Sequence, residues 1–348
     1  MIITQTPLRI SFAGGGSDLP SFYRQFGGAV VSTAIDKFVY ININKKFDNW
    51  IRVSYSKTEE VEHVSQIEHP IVRAALQKLD LSGGLEITSI ADIPSSGTGL
   101  GSSSSFTTGL LLGLHAYQSR YVSPGDLAEE SCVVEIDLCG EQIGKQDQYA
   151  AAYGGLNFIR FEPDDSVIVE PILCSGENLW RLQSSLITFY TGATRAASSI
   201  LAEQSKQADC DPATQRILKY MTKLAYELHA ELNSGHIEAL GYILDEGWKL
   251  KREVHHRISN SAIDGWYEAA KRAGATGGKL LGAGGGGFLT FFAPPERHAA
   301  IERALGLRRI DLGFERSGSR VLLYHNSPNR NGRDIPERNI DEAAAGRL

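Results

Sequence analysis

The residues with the clearest chemical potential lie in a loop rich in glycine and serine. Residues 85–117 read LEITSIADIPSSGTGLGSSSSFTTGLLLGLHAY, so an apolar strand pattern leads into the loop and an apolar helix pattern follows it. Glycine permits backbone conformations closed to other residues, and the first N–H groups of a following helix point at whatever occupies the loop. The pattern predicts an anion cradle made by Gly97, Thr98, Gly99, Leu100, Gly101, Ser102, Ser103 and Ser104.

The loop does not match two common phosphate-binding motifs. A Walker A site needs Lys directly after its last glycine, and no Lys occurs between Lys78 and Lys145. A dinucleotide fingerprint needs an acidic residue about 20 positions further on, and no Asp or Glu lies between Asp92 and Asp126. Glycine runs also serve as simple turns. The remaining functional interpretation is a nucleotide-phosphate loop of another type.

Two further glycine loops accompany it, and the three occur in a fixed order. We call residues 14–16 in PLRISFAGGGSDLPSF the first glycine loop, residues 97–101 the second, and residues 282–287 in GGKLLGAGGGGFLTFF the third. Together they resemble the three signature motifs of the GHMP kinases, the superfamily of galactokinase, homoserine kinase, mevalonate kinase and phosphomevalonate kinase. The resemblance extends from residue 7 to about residue 292 and implies ATP as phosphoryl donor.

Within that superfamily the chain resembles the D-glycero-D-manno-heptose 7-phosphate kinases most. The blocks RISFAGGGSDLP, GEQIGKQDQYAAAYGG, FYTGATRAAS and GGKLLGAGGGGF carry this resemblance. Galactokinases have an acidic residue and a His before the Asp of the first motif, where this chain has GGGSD. The resemblance implies phosphorylation of the anomeric C1 hydroxyl of the heptose 7-phosphate, giving the 1,7-bisphosphate used for capsule or lipopolysaccharide.

Two residues are candidates for catalysis. Asp147 follows a glycine and precedes an apolar run, so we expect it at a loop-to-helix junction, where the first-turn N–H groups favour a carboxylate. A structural N-cap is the alternative role. The resemblance implies that Asp147 faces the acceptor hydroxyl as the base, and that Arg9 steadies Asp147 and the transferred phosphoryl group. Arg9 alternates with apolar neighbours, which places it on the opposite face of its strand; a surface Arg is the alternative.

A magnesium site is expected beside the second glycine loop. Mg²⁺ prefers oxygen ligands and takes few of them from the protein. The resemblance implies that Ser103 and Glu135 hold the ion. Glu135 lies in an apolar segment, where an unpartnered carboxylate would be costly, and Asp137 and Glu141 are nearby alternatives.

The predicted substrate contacts come from several segments. The resemblance implies that Asp18 accepts sugar hydroxyls, although an Asx turn or N-cap is an equal alternative from the residues alone. Arg195 or Lys145 could pair with a phosphate already on the sugar, and Arg suits bidentate phosphate binding better. The full set is Gly16, Ser17, Asp18, Lys145, Thr191, Gly192, Arg195, Gly284 and Gly285.

Composition indicates the class of partner. The 348 residues are 42% hydrophobic and 22% charged, with a net charge of -6, which gives no reason to expect nucleic acid or a membrane surface as partner. The resemblance implies a small sugar phosphate as partner, and a homodimer is left open. The N-terminus lacks a signal-peptide pattern and no long apolar run suggests a membrane span, so we expect a cytoplasmic protein.

The cysteines, Cys132, Cys139, Cys174 and Cys210, form no CxxC pair and are expected as free thiols. His255 and His256 are interpreted as helix residues on solvent or interface faces.

The elements that position these residues follow from periodicity. Alternation in 38–47 and 50–55 predicts neighbouring antiparallel strands joined by Asp48 and Asn49, and 186–192 is predicted as a strand. A helix is predicted with Asp211 as N-cap and Gly235 as its stop, followed by another around 243–254.

The predicted fold class is α+β with two domains. The resemblance implies a ribosomal-protein-S5-like α/β domain over 1–170 and a ferredoxin-like α+β domain over 171–326, followed by a polar tail over 327–348.

Two other functions are kept beside the heptose kinase. One is a related monosaccharide kinase for a non-phosphorylated sugar. The other is a catalytically silent sugar sensor on the same fold, against which the retention of Ser103, Glu135 and Asp147 together argues.

Overall fold

Two β-sheets organise the part of the chain that the structure describes. The structure, a computed structural model, describes residues 1–93, 97–192, 209 and 211–325. The first sheet has eight strands, and its members are β1 Ile2–Ala13, β2 Gly28–Lys45, β3 Ile51–Ser54, β4 Thr58–Val61, β5 Leu85–Ala91, β6 Leu156–Phe161, β7 Val167–Pro171 and β12 Arg320–Tyr324. The second has four strands, β8 Leu186–Tyr190, β9 Gly277–Leu280, β10 Phe288–Phe292 and β11 Arg308–Ile310.

Helices cover the two sheets. Their bounds are α1 Pro20–Phe26, α2 Pro70–Lys78, α3 Ser102–Tyr117, α4 Pro124–Cys132, α5 Gln146–Tyr153, α6 Gly176–Ser184, α7 Pro212–Asn233, α8 Ala239–Val254, α9 Ser261–Arg272 and α10 His298–Leu305. A π-helical segment, Val133–Leu138, continues α4. Separate apolar clusters lie under each sheet. The combination of helices with two largely antiparallel sheets confirms the predicted α+β class. None of the described helices is long and apolar enough to cross a bilayer.

The longest ladder of the first sheet carries the first glycine loop. β1 pairs with β2 along its length. Both strands carry apolar residues, in alternation or in continuous runs, and bury residues on both faces. β1 ends where the first glycine loop begins. The order is β12-β1-β2-β5-β3-β4, with β6 beside β2 and β7 beside β6. β12 lies in the predicted second domain and β7 spans the predicted limit between the domains, yet both strands belong to the first sheet. The domain limits remain a prediction.

The predicted pairing of 38–47 with 50–55 is wrong. β5 lies between β2 and β3, pairing antiparallel with β2 and parallel with β3. Two strands joined by a short turn usually form a hairpin. Here β2 and β3 are joined by a short turn but are not paired, because β5 lies between them. Alternation gives each strand its faces and leaves the choice of neighbour to long-range packing.

The predicted capping of α7 is confirmed. The Asp211 carboxylate accepts hydrogen bonds from the backbone N–H groups of Ala213 and Thr214, which satisfies donors that the helix leaves free. Met221, Leu224, Leu228 and Leu232 are buried along one apolar face of the helix. This face packs against the first sheet, so α7 joins the second half of the chain to the first.

The predicted helical placement of the two adjacent histidines is wrong, and the predicted solvent position holds only for His256. α8 ends at Val254, and His255 follows in an extended conformation with its side chain buried, whereas His256 is exposed. The Nδ1 atom of His255 accepts from the backbone N–H of Arg257 at 3.2 Å. His255 therefore shapes the turn after α8. The three cysteines in the described residues are free, as predicted, and Cys210 lies outside those residues.

Candidate active site

A cleft of about 380 Å³ lies where the three glycine loops approach one another. Its polar lining comes from both halves of the chain. The lining residues are Arg9, Ser11, Gly15, Gly16, Asp18, Leu19, Gly97, Thr98, Gly99, Gly101, Ser102, Ser103, Ser104, Glu141, Ile143, Gly144, Gln146, Asp147, Lys251, Lys279, Gly282 and Ala283.

An ion pair joins the two predicted catalytic residues. Asp147 lies in the first turn of α5, and its Oδ1 accepts from Arg9 Nε at 2.7 Å and lies 2.5 Å from Arg9 Nη2. Arg9 Nη1 also donates to the Gly99 carbonyl at 2.7 Å. The Arg9 side chain is only 6% exposed, compared with 23% for Asp147, so Arg9 is an interior residue of the site and the surface alternative does not hold. The carboxylate is fixed in orientation and still reachable from the cleft.

The second glycine loop lies directly beside this pair and leaves hydrogen-bond donors without helical partners. Gly101 has φ 78° directly before α3, a conformation that disfavours other residues. A Cβ there would lie 3.3 Å from Asp147 Oδ2 and from Arg9 Cγ. The first N–H groups of α3 have no helical acceptor, and the buried Thr98 hydroxyl has no partner among the described residues. Most of the predicted cradle therefore lines the cleft, with buried Leu100 behind it.

The second and third glycine loops touch through their backbones. A Cβ on Gly99 would lie 2.3 Å from the Leu281 carbonyl oxygen, and one on Gly282 would lie 2.2 Å from Gly99 Cα. A Cβ on Gly287 would lie 2.6 Å from the Thr98 carbonyl oxygen. Backbones this close require glycine on both sides. The third loop thus holds the second loop in place.

The predicted metal ligands lie next to each other. Ser103 Oγ donates to Glu135 Oε1 at 2.8 Å, and Gln148 Nε2 donates to Glu135 Oε2 at 2.6 Å. Glu135 has 0% exposure, and burial raises its pKa, while its hydrogen bonds lower it. Ser103 is exposed toward the cleft. Ser103 presents an oxygen to the cleft, whereas Glu135 lies behind it, outside the cleft lining and with both carboxylate oxygens hydrogen-bonded. A hydroxyl and a carboxylate are oxygen ligands that Mg²⁺ accepts, and their joint binding of the ion stays a prediction.

Asp18 is held by backbone hydrogen bonds beside the Arg9–Asp147 pair. Its Oδ1 accepts from the Gly16 N–H at 2.8 Å, and its Oδ2 accepts from the Gln146 N–H at 3.3 Å. Burial raises its pKa, as does the nearby Asp147 charge, against these hydrogen bonds. Gly144 permits this approach, because a Cβ there would lie 1.9 Å from Asp18 Oδ2.

Several predicted substrate residues do not reach the cleft. Lys145 Nζ lies 3.4 Å from Asp165 Oδ1, so its charge is already paired outside the lining. The Ser17 hydroxyl is fully buried and exchanges hydrogen bonds with the backbone of Ala29, both at 3.0 Å. Arg195 lies outside the described residues.

The third loop and the residue that meets it are used for packing. Thr191 Oγ1 donates to the Gly287 carbonyl at 2.9 Å. Gly284 packs against Ile258, which a Cβ would approach to 2.8 Å. The other predicted contacts outside the lining are Gly192 and Gly285.

Two cleft lysines escaped the sequence reasoning. Lys251 lies on α8 and Lys279 on β9, and both are buried in the cleft wall. One signal was present: Lys251 continues the buried apolar series Leu244, Trp248 and Val254 at helical spacing. A charge on the apolar face of a helix needs a reason.

Comparisons with known proteins agree with the geometry. The profile of the GHMP kinases N terminal domain matches residues 65–155, and that of the GHMP kinases C terminal matches residues 228–308. The D-glycero-alpha-D-manno-heptose 7-phosphate kinase of Campylobacter jejuni is 30% identical over 319 residues, covering 87% of this chain and 93% of the relative. The bifunctional fucokinase/GDP-fucose pyrophosphorylase of Arabidopsis thaliana is 28% identical, covering 83% of this chain and 29% of the relative.

A solved structure shares the fold. The crystal structure of a D-glycero-D-manno-heptose 1-phosphate kinase from Bacteroides thetaiotaomicron aligns with a TM-score of 0.76 and 24% identity. The alignment covers 94% of this chain and 100% of that one, so the fold extends over nearly the whole molecule.

Proposed function

This chain belongs to the GHMP kinase family, and we propose that it transfers the terminal phosphoryl group of ATP to the anomeric C1 hydroxyl of D-glycero-D-manno-heptose 7-phosphate. The family membership confirms the resemblance found in the glycine loops and makes the protein an ATP-dependent sugar kinase. The observation that carries the proposal is the Arg9–Asp147 pair facing the second glycine loop across one cleft. The product would be the 1,7-bisphosphate, a precursor for capsule or lipopolysaccharide heptose.

Asp147 is proposed as the base. The C1 hydroxyl gives its proton to the Asp147 carboxylate while its oxygen bonds to the terminal phosphorus of ATP. The bond from that phosphorus to the bridging oxygen breaks, and ADP leaves with the electron pair. Arg9 holds the carboxylate through two nitrogens and ties it to Gly99, so base and phosphate loop keep a fixed separation. Such positioning supplies most of the catalysis in phosphoryl transfer.

The nucleotide phosphates are proposed to lie on the second glycine loop. The N–H groups at the start of α3 and the Thr98 hydroxyl are donors directed at that position. Ser103 and Glu135 would hold Mg²⁺, which would neutralise charge on the phosphate oxygens when bound. Glu135 keeps Gln148 as a second partner, so its buried charge is supported on both oxygens.

Arg195 is our candidate for binding the phosphate on the sugar, because Lys145, the other candidate, is already paired with Asp165. The fucokinase relative favours a second candidate, a kinase for a non-phosphorylated sugar.

Coupled ADP release over a panel of sugars and sugar phosphates tests the two candidates. We expect the heptose 7-phosphate to be the preferred acceptor. Arg195→Ala should raise the KM of the heptose 7-phosphate by a factor that corresponds to about 2 to 4 kcal/mol, as expected for an unpaired phosphate. The KM for ATP should stay unchanged. Lys145→Met is the matched control and should leave the acceptor KM unchanged. A parent enzyme that prefers the plain sugar would replace the first candidate with the second.

A further inference from the structure

Two buried lysines from the second half of the chain form one wall of the cleft. Lys251 is 7% exposed and Lys279 is 6% exposed, and both side chains line the space that Arg9 and Asp147 also line. Burying an ammonium group is costly unless it is paired and hydrogen-bonded. Each lysine therefore needs an explanation in terms of its partners.

Lys279 is explained by the fold. Its Nζ donates to the carbonyls of Ser11 at 2.8 Å and Phe12 at 3.2 Å. These bonds tie β9 of the second sheet to the end of β1, just before the first glycine loop. Lys279 thus fastens the two halves of the chain together.

Lys251 is not explained in this way. Its Nζ donates to the Gly282 carbonyl, which is the one acceptor recorded for it within the described residues. An ammonium group has three donors, and no carboxylate in the described part of the chain forms an ion pair with this one. Lys251 is therefore a buried cation in a polar cleft with donors left over.

The contact with Gly282 fixes where those donors lie. Gly282 packs directly on Gly99, so Lys251 is held beside the second glycine loop. Arg9 donates to the Gly99 carbonyl from its own side. The two cations thus flank the same loop, from opposite halves of the chain.

The charges around Lys251 are mixed. Arg9 on β1 and Lys279 on β9 are positive neighbours, and Asp18 after β1 and Asp147 on α5 are negative ones. Burial, followed by the Arg9 charge, lowers the pKa of Lys251 to about 8, against the opposing effect of the two carboxylates. The ammonium form is present below that pH and is lost as the pH rises through it.

We infer that Lys251 contacts the terminal phosphate of ATP and stabilises the phosphoryl group during its transfer to the acceptor. This inference rests on the proposed function. It gives the second glycine loop the cation that its own sequence lacks, since no Lys lies between Lys78 and Lys145. The cation comes instead from α8, so the two halves of the chain complete the phosphate site together.

Calorimetric titration with ATP and with ADP, without any sugar, tests the contact directly. Lys251→Met should weaken ATP binding by about tenfold or more, the scale of a lost charge-assisted contact, and leave ADP binding nearly unchanged. Lys249→Met is the matched control, because Lys249 lies on the same helix, is exposed and pairs with Asp245 and Glu246. It should bind both nucleotides like the parent.

The pH dependence provides a readout that loss of structure would not produce. ATP affinity of the parent should fall as the pH rises above about 8. Lys251→Arg should keep its affinity there, because a guanidinium stays charged. In assays with sugar, Lys251→Met should lower kcat by roughly 100-fold, typical for one transition-state donor.

Three results would overturn the inference. They are equal losses of ATP and ADP affinity in Lys251→Met, unchanged ATP affinity in that variant, and a rise in the sugar KM alone. Because the titrations need no acceptor, they decide the role of Lys251 even if every sugar in the panel fails and the proposed substrate with it.

Discussion

In the second glycine loop Gly101 faces the Arg9–Asp147 pair, whereas in the third Gly284 packs against the backbone of Ile258. Both loops are glycine-rich and lie next to a helix or a strand, so their residue types alone do not distinguish their roles. In the second loop the absence of side chains exposes N–H groups to the cleft. In the third it allows two pieces of backbone to touch.

The difference separates binding from support. The second loop borders the Asp147 carboxylate, since a Cβ on Gly101 would lie 3.3 Å from its Oδ2. The third loop supports it through Gly282 and Gly287 and reaches the cleft itself only at Gly282 and Ala283. We therefore expect changes around the second loop to alter catalysis and ligand binding, and changes deep in the third loop to alter stability.

The largest effect is expected from Asp147→Asn. If the second loop is built around a base, this change should leave folding and ATP binding intact and lower turnover by roughly 100-fold or more. Steady-state kinetics at saturating substrates measure it, with Asp137→Asn, an exposed neighbouring carboxylate, as control. Turnover within a few-fold of the parent would show that positioning suffices without a base. The second loop would then not differ from the third by lying next to a catalytic base.

A stability effect of intermediate size is expected from Gly284→Ala. Gly284 has φ 121° and a Cβ would lie 2.8 Å from Ile258 Cα, so strain and overpacking add. We expect a loss on the order of 3 kcal/mol in the free energy of unfolding, measured by urea denaturation.

The control for this change is Gly140→Ala. Gly140 has φ 73° with nothing within 4 Å of its Cβ, and should lose only about 1 to 2 kcal/mol. The folded fraction of Gly284→Ala should keep the parent's acceptor KM. If Gly284→Ala instead has the stability of the parent and a raised acceptor KM, Gly284 contacts the substrate, as predicted from the sequence.

The smallest effect concerns the metal. Ser103→Ala combined with Glu135→Gln should raise the magnesium concentration for half-maximal rate by several-fold, because one oxygen ligand is removed and the other loses its negative charge. Chelation of divalent ions should abolish activity in the parent. Glu141→Gln, a cleft carboxylate outside the pair, is the control. A magnesium curve that moves only in the control would relocate the ion to Glu141.

Local patterns were predicted well because their causes are local. The Asp211 cap of α7 depends on a carboxylate and two N–H groups within three residues, and it is confirmed. The pairing of 38–47 with 50–55 depended on which strands meet, and it is wrong because β5 arrives from a distant part of the chain. His255 was misplaced because α8 ends one residue before it.

The sequence by itself determined the family and the three glycine loops, because glycine tolerance and motif order are written in residue types. Only the tertiary structure decided how the site is assembled. It brought Arg9 to Asp147, paired Lys145 with Asp165 outside the cleft, and placed Lys251 of α8 against Gly282 of the third loop, which packs on the second loop. Each of these contacts joins residues far apart in the chain, and its existence depends on the packing of two sheets and their helices. A side chain's type gives its possible partners, and the fold selects one among them.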